Sequence, residues 1–152
     1  MNNTEHSIGR WISILYRFGQ SYLGKRLEHL NIGSGQYVVL MTLFRNNGIR
    51  QEKLSDYLKI DKGSIAKSIK KLEAAGYVTR RIDAGDKRAN QVFITPKALD
   101  AIPEVREAAR AWEDMIVSEF SEEEKQVIER LLHKMAAKAY NIKEPDKEKD
   151  SE

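Results

Sequence analysis

Apolar residues fall at helical spacing along most of this 152-residue chain. Between about residues 5 and 30 they occupy Ile8, Trp11, Ile12, Leu15, Phe18, Tyr22, Leu23, Leu27 and Leu30, a wide stripe along one side of a predicted helix. Asn31-Ile32-Gly33 is expected to stop it. Ser34 is then expected to cap a second helix carrying Val38, Leu40, Met41, Leu43 and Phe44. Asn46-Asn47-Gly48 should end that helix by supplying left-handed conformers. A short third helix is predicted near 51–58, with Leu54 and Leu58 on one face. After a turn at Lys59-Ile60, Asp61 caps a fourth. On it Ile65, Ile69, Leu72 and Gly76 fall within one narrow arc, which predicts the buried side. Gly63, Lys67, Lys70 and Lys71 point the other way, with Ser64 beside them.

At Gly76 the pattern changes. Tyr77-Val78-Thr79-Arg80-Arg81-Ile82 has a β-favouring composition, Asp83-Ala84-Gly85-Asp86 reads as a turn, and Gln91 to Thr95 returns as the second strand of a hairpin. Thr95-Pro96 is an N-cap followed by proline at the first helical position, opening a fifth helix over about 96–118. There Ile102, Val105, Ala109, Trp112 and Ile116 step by 3, 4, 3 and 4, a seam for another helix. Ser121 and Glu124 form a capping box for a sixth helix through Ile128, Leu131, Leu132, Met135 and Ala139. The closing KEPDKEKDSE, residues 143–152, is expected to be a disordered polar tail.

The predicted fold is mainly α with a small β-hairpin wing. A winged helix-turn-helix over 34–95 is flanked by terminal helices at 5–30 and 96–142. Those terminal helices carry more apolar face than one small domain needs. Burial against a second copy is the simplest outlet, so they are expected to form a homodimer.

Charge adds a direction to this picture. The net charge of +3 is modest, but residues 1–60 carry 8 Lys/Arg against 4 Asp/Glu, residues 61–99 carry 9 against 4, and residues 100–152 carry 9 against 15. The front of the chain is suited to an anion. There are no cysteines, which removes disulfides and thiolate metal sites. The opening MNNTEHSIGRWISI lacks the pattern of a signal peptide, and no apolar run is long enough to span a membrane, so a cytoplasmic protein is expected. His6, His29 and His133 are scattered, and no phosphate loop, nucleophile elbow or metal-ligand cluster is present, so no enzyme and no cofactor are expected.

These motifs, in this order, resemble the MarR family of bacterial and archaeal transcription regulators. The resemblance rests on Leu54 and Leu58 in the helix-turn-helix and on Leu72-Glu73-Ala74-Ala75-Gly76 closing the recognition helix. Tyr77-Val78 and Arg80 follow, then Asp86-Lys87-Arg88 in the wing and Val92-Phe93-Ile94-Thr95 at its end. It covers about residues 8–140. The glycine often found soon after the closing threonine is absent, with Pro96-Lys97-Ala98 in its place. The resemblance implies a homodimer on a pseudo-palindromic operator in double-stranded DNA. It also implies release by a small phenolic or carboxylate effector.

In a helix-turn-helix the N-terminal half of the second helix meets base edges in the major groove. Lys62, Gly63, Ser64, Lys67 and Ser68 occupy that half, and Lys70 and Lys71 are placed for phosphates. Arg88 at the wing tip is expected in the minor groove, with Asp86 holding its guanidinium. Arg80, Arg81 and Lys87 add charge for the backbone. Candidate effector residues are Trp11, Tyr16, Arg17 and Tyr37, with Arg17 able to pair with a carboxylate. For Arg17 the alternative is a structural salt bridge at the dimer interface. Two other readings compete: a DNA-binding regulator without an effector, and a winged-helix module for protein contacts. The second does not require lysines on the recognition face or an arginine at the wing tip.

Overall fold

The computed structural model describes residues 7–143. The start of the first predicted helix at residues 5 and 6, and the polar tail after residue 143, lie outside the described residues. The described residues divide after Trp112 into two compact units.

In the first unit, α1 spans Ile8–Arg26, with the Ser7 hydroxyl accepting the Arg10 N–H at its start. A single 3-10 turn, Glu28–Leu30, follows and ends at Asn31 in the left-handed conformation. The predicted helix over 5–30 is therefore a helix plus a turn. Helix α2 is Ser34–Arg45. Its N-cap is Gly33 rather than Ser34, because the Gln36 side chain reaches back to accept the Gly33 N–H at 3.0 Å. At the other end only Gly48 is left-handed, whereas Asn46 uses its side-chain amide to donate to the Thr42 carbonyl. Helix α3 is Gln51–Leu58, and Lys59 makes the left-handed turn to α4, Lys62–Ala74.

Strand β2 is Val78–Ile82 and β3 is Asn90–Ile94. A third strand, β1 at Ile49–Arg50, was not predicted. It pairs antiparallel with β3, giving the sheet order β1-β3-β2. The wing is thus stitched to the residue that precedes α3. Helix α5, Pro96–Ile116, starts where predicted, with the Thr95 hydroxyl accepting the Ala98 N–H.

One core joins these elements. Leu40 and Leu43 of α2, Leu54 of α3, Ile65, Ile69 and Leu72 of α4, Val78 and Val92 of the sheet, and Val105 of α5 are all essentially inaccessible to solvent. Ile102 and Val105 close this core rather than an outer seam. Further along α5, Trp112 does meet another helix: its ring lies 5.6 Å from that of Tyr22, over Gly19 of α1. An added Cβ at Gly19 would stand 3.1 Å from the indole nitrogen, so the small residue permits the close approach.

The second unit contains the end of α5 and helix α6, Glu122–Lys143. The predicted capping box is present in full: Ser121 N–H donates to Glu124, and Glu124 N–H to the Ser121 hydroxyl. Leu131, Leu132 and Met135 of α6 are exposed. No helix among the described residues is long and apolar enough to cross a membrane.

Candidate nucleic-acid interface

Helix α4 is set by its two ends. At the start, the Asp61 carboxylate accepts the Ser64 N–H at 2.8 Å and the Ser64 hydroxyl at 2.7 Å. These bonds favour the charged form and lower the Asp61 pKa. The Ser64 hydroxyl predicted for DNA is thus engaged by the cap. At the other end Gly76 has φ +82, the Tyr77 N–H reaches the Leu72 carbonyl at 2.9 Å, and the Gly76 N–H reaches Glu73 at 3.0 Å. This is a Schellman stop, with Leu72 and Tyr77 as its buried contact. Gly76 itself is exposed and lies beyond the helix, not in the buried arc predicted for it. Lys97 completes this end, its ammonium donating to the Ala75 carbonyl at 2.6 Å above the Tyr77 ring.

Ile65, Ile69 and Leu72 are buried as predicted, which turns the opposite side outward. Lys62, Gly63, Ser64, Lys67, Lys70 and Lys71 are all exposed. Ser68 is half-buried, its hydroxyl 3.4 Å from the Gly35 carbonyl of α2. Lys62 is not a lone cation: its ammonium donates to Glu52 of α3 at 2.6 Å. That hydrogen bond holds the Glu52 carboxyl below its ordinary range and the Lys62 ammonium above its own. Lys71 borders an open cleft of about 490 Å³, whose walls include Gly24, Ile32 and Gly33.

The wing is organised by a residue that sequence reasoning treated only as part of a turn. Asp83 is buried, and its carboxylate accepts the N–H groups of Gly85 at 2.8 Å and Asp86 at 3.1 Å. It also accepts Arg50 Nε at 2.9 Å. The Arg50 bond is the largest cause of an Asp83 pKa below the ordinary carboxylate range. Arg50 ends β1 and is the N-cap of α3, so this pair ties the wing tip to the helix-turn-helix. The Asp-x-Gly signal for such a turn was present in the sequence. Its arginine partner, 33 residues away, gave none.

Asp86 does not hold the Arg88 guanidinium as predicted. Its carboxylate accepts the Arg88 backbone N–H at 3.0 Å, because an Asp side chain in a turn most readily reaches the amide two residues on. The exposed loop residues Lys87 and Arg88 keep their charged ends without an ion pair among the described residues. Arg80, predicted for the backbone, is forked by Glu73 at 2.7 and 3.1 Å. Arg81 lies over the Phe93 ring at 4.8 Å. Thr95 joins the end of the wing to the end of α4 by donating its hydroxyl to the Gly76 carbonyl at 2.7 Å. Helix α4 and the wing therefore present two cationic projections, Lys67 with Lys70 and Lys87 with Arg88, from one hydrogen-bonded frame.

The four effector candidates are divided between two helices. Trp11 and Tyr16 are 50% and 66% exposed on α1. Arg17 is also exposed there and donates to the Ser13 hydroxyl at 2.7 Å, whereas Tyr37 on α2 is half-buried against the core. Among the described residues no group of three or more His, Asp or Glu is arranged to hold a metal ion.

Comparison with known proteins gives this frame a lineage. The MarR family model matches residues 32–89, the segment that runs from α2 through the wing tip. A Bacillus subtilis protein described as an uncharacterized HTH-type transcriptional regulator, YybA, is 32% identical over 130 residues, covering 86% of this chain and 87% of its own. The crystal structure of a MarR transcriptional regulator from Methanosarcina mazei superposes with a TM-score of 0.83 at 44% identity, over 89% of this chain and 97% of that one. A MarR family regulator from Listeria monocytogenes, crystallised with a 26mer DNA, superposes with a TM-score of 0.82 at 26% identity, over 95% and 99% of the two chains. The two-point cationic frame, the match from α2 to the wing and the identity along most of the chain agree: this chain belongs to the MarR family of helix-turn-helix transcriptional regulators.

Proposed function

We propose that the protein is a homodimeric repressor that binds a pseudo-palindromic operator, with α4 in the major groove and Arg88 in the flanking minor groove. The observation that carries this reading is the frame itself. Lys67 and Lys70 on α4 and Lys87 and Arg88 on the wing project outward without an ion-pair partner among the described residues, from two elements locked together through Thr95 and through Asp83 with Arg50. Base edges would be read from Lys62, Gly63, Ser64 and Lys67, and phosphates held by Lys70, Lys71, Arg81 and Lys87. A protein-interaction module has no use for these unpaired cations.

Dimerisation is supported by the outer face of α1. Ile8, Trp11, Ile12, Leu15, Tyr16 and Phe18 are each between 43% and 66% exposed. Six large apolar side chains on one helix are a patch that soluble monomers seldom leave open. Release by a small phenol or carboxylate depends on the same face. Trp11 and Tyr16 lie on that face and can enclose a ligand only where a partner covers it, whereas Arg17 turns to the other side of α1 beside Ser13. An effector that favours one spacing of the two α4 helices would change operator affinity by its differential binding.

Selection of bound duplexes from a random pool tests the proposal. It should yield a two-fold related sequence occupied by two protomers. Recovery of no enriched sequence would overturn it.

A further inference from the structure

The notch between the start of α4 and the wing tip contains one contact that the DNA-binding reading does not use. A cavity of about 340 Å³ is lined there by Arg50, Glu52, Lys62, Asp86 and Arg88, among others. Arg50 is committed to Asp83 at 2.9 Å. Lys62, the first residue of α4, is committed to Glu52 at 2.6 Å. Both members of the second pair are 71% exposed, so solvent and ligands reach it freely. On non-specific DNA, where Lys62 has no base edge to read, a backbone phosphate approaching the N-terminus of α4 must therefore take Lys62 from a carboxylate, and it meets the Asp86 carboxylate across the same notch.

We infer that Glu52 is a specificity-determining residue, an internal counterion that withholds Lys62 from DNA until the recognition helix is fully seated. This inference rests on the DNA-binding reading above. Non-specific binding is almost wholly electrostatic and scales with the number of phosphates neutralised. A cation already paired internally contributes little to it, because the phosphate only replaces the carboxylate. On the operator, base contacts fix the helix deep in the groove and the exchange is compensated. Glu52 thus weakens binding to bulk DNA more than binding to the operator. Lys67 and Lys70, which have no such partner among the described residues, provide the internal contrast.

The test uses Glu52→Gln, Lys62→Gln and the double variant, each titrated with salt on the selected operator and on a scrambled duplex of equal length. Glu52→Gln should tighten binding to the scrambled duplex by roughly two- to fivefold, the range of an exposed ion pair. It should also steepen that duplex's log–log salt slope by about 0.9, one extra phosphate. The operator slope should stay as it is in the parent protein. The gain should vanish when Lys62→Gln is added. Glu52→Ala should repeat the result if glutamine perturbs the start of α3, with helical content and melting temperature confirming the fold. An unchanged slope on scrambled DNA overturns the inference, as does a gain that survives in the double variant. A parent protein whose affinity for both duplexes ignores salt would overturn the DNA-binding reading itself, a distinguishable outcome.

Discussion

Arg88 is the residue on which the wing's proposed role turns. Its backbone is fixed by Asp86 while its side chain is left unpaired, so the loop orients a cation without neutralising it. Arg88→Ala should weaken operator binding by about 1–3 kcal/mol with the melting temperature unchanged, measured by fluorescence anisotropy and thermal unfolding. Asp83 has the opposite character, being buried and fully engaged. Its folded pKa is depressed, first by the Arg50 hydrogen bond. Its stabilising contribution is therefore complete above the unfolded value of about 3.9 and is lost as pH falls through the lower folded value. In an acid titration followed by the Gly85 amide signal, the midpoint should lie below about 3.9. A midpoint at or above that value would show that the Arg50–Asp83 pair does not form. The sequence made the exposed half of this pairing of roles legible, since Arg88 sits in a recognisable motif. It concealed Arg50 and Glu52, because each acts through a partner on another element.

At the scale of elements, local signals were sufficient wherever the stabilising contact is itself local. The Asp61 cap, the Ser121–Glu124 box and the Thr95-Pro96 start all stand as read, each closing within three residues. Strand β1 escaped because two residues carry no periodicity and its partner, β3, begins 40 residues after it ends. The cap of α2 was misplaced by one position because Ser34 has the composition of an N-cap, while Gln36 supplies the actual bond. Two glycines make the energetic point. Gly76 and Gly48 have nearly equal positive φ, +82 and +83. A Cβ at Gly76 would find nothing nearer than 3.6 Å, but at Gly48 it would stand 2.8 Å from the Phe93 ring. Gly76→Ala should cost about 1 kcal/mol for the left-handed backbone alone. Gly48→Ala should cost more, because strain and clash add. Chemical denaturation of both variants measures the difference, and equal costs would contradict this account of the β1 turn.

At the scale of the molecule, α2, α3, α4, the sheet and α5 share one core, whereas the open apolar face belongs to α1. If that face joins two protomers, Leu15→Lys should shift the protein to monomer in sedimentation velocity. Operator affinity should then fall together with dimer content. The fold was legible in the sequence because a helical period and a hairpin motif survive without knowledge of partners. The proposed effector site was not, because its candidates are divided between α1 and α2 and no local motif links them. The central claim is that the frame of α4 and wing grips a DNA duplex through its unpaired cations. Its most direct test is the salt dependence of binding to the selected operator. A linear fall of log K against log salt is expected, with a slope of about −4.5 or steeper for five or more phosphates neutralised. An affinity that does not change with salt would contradict it.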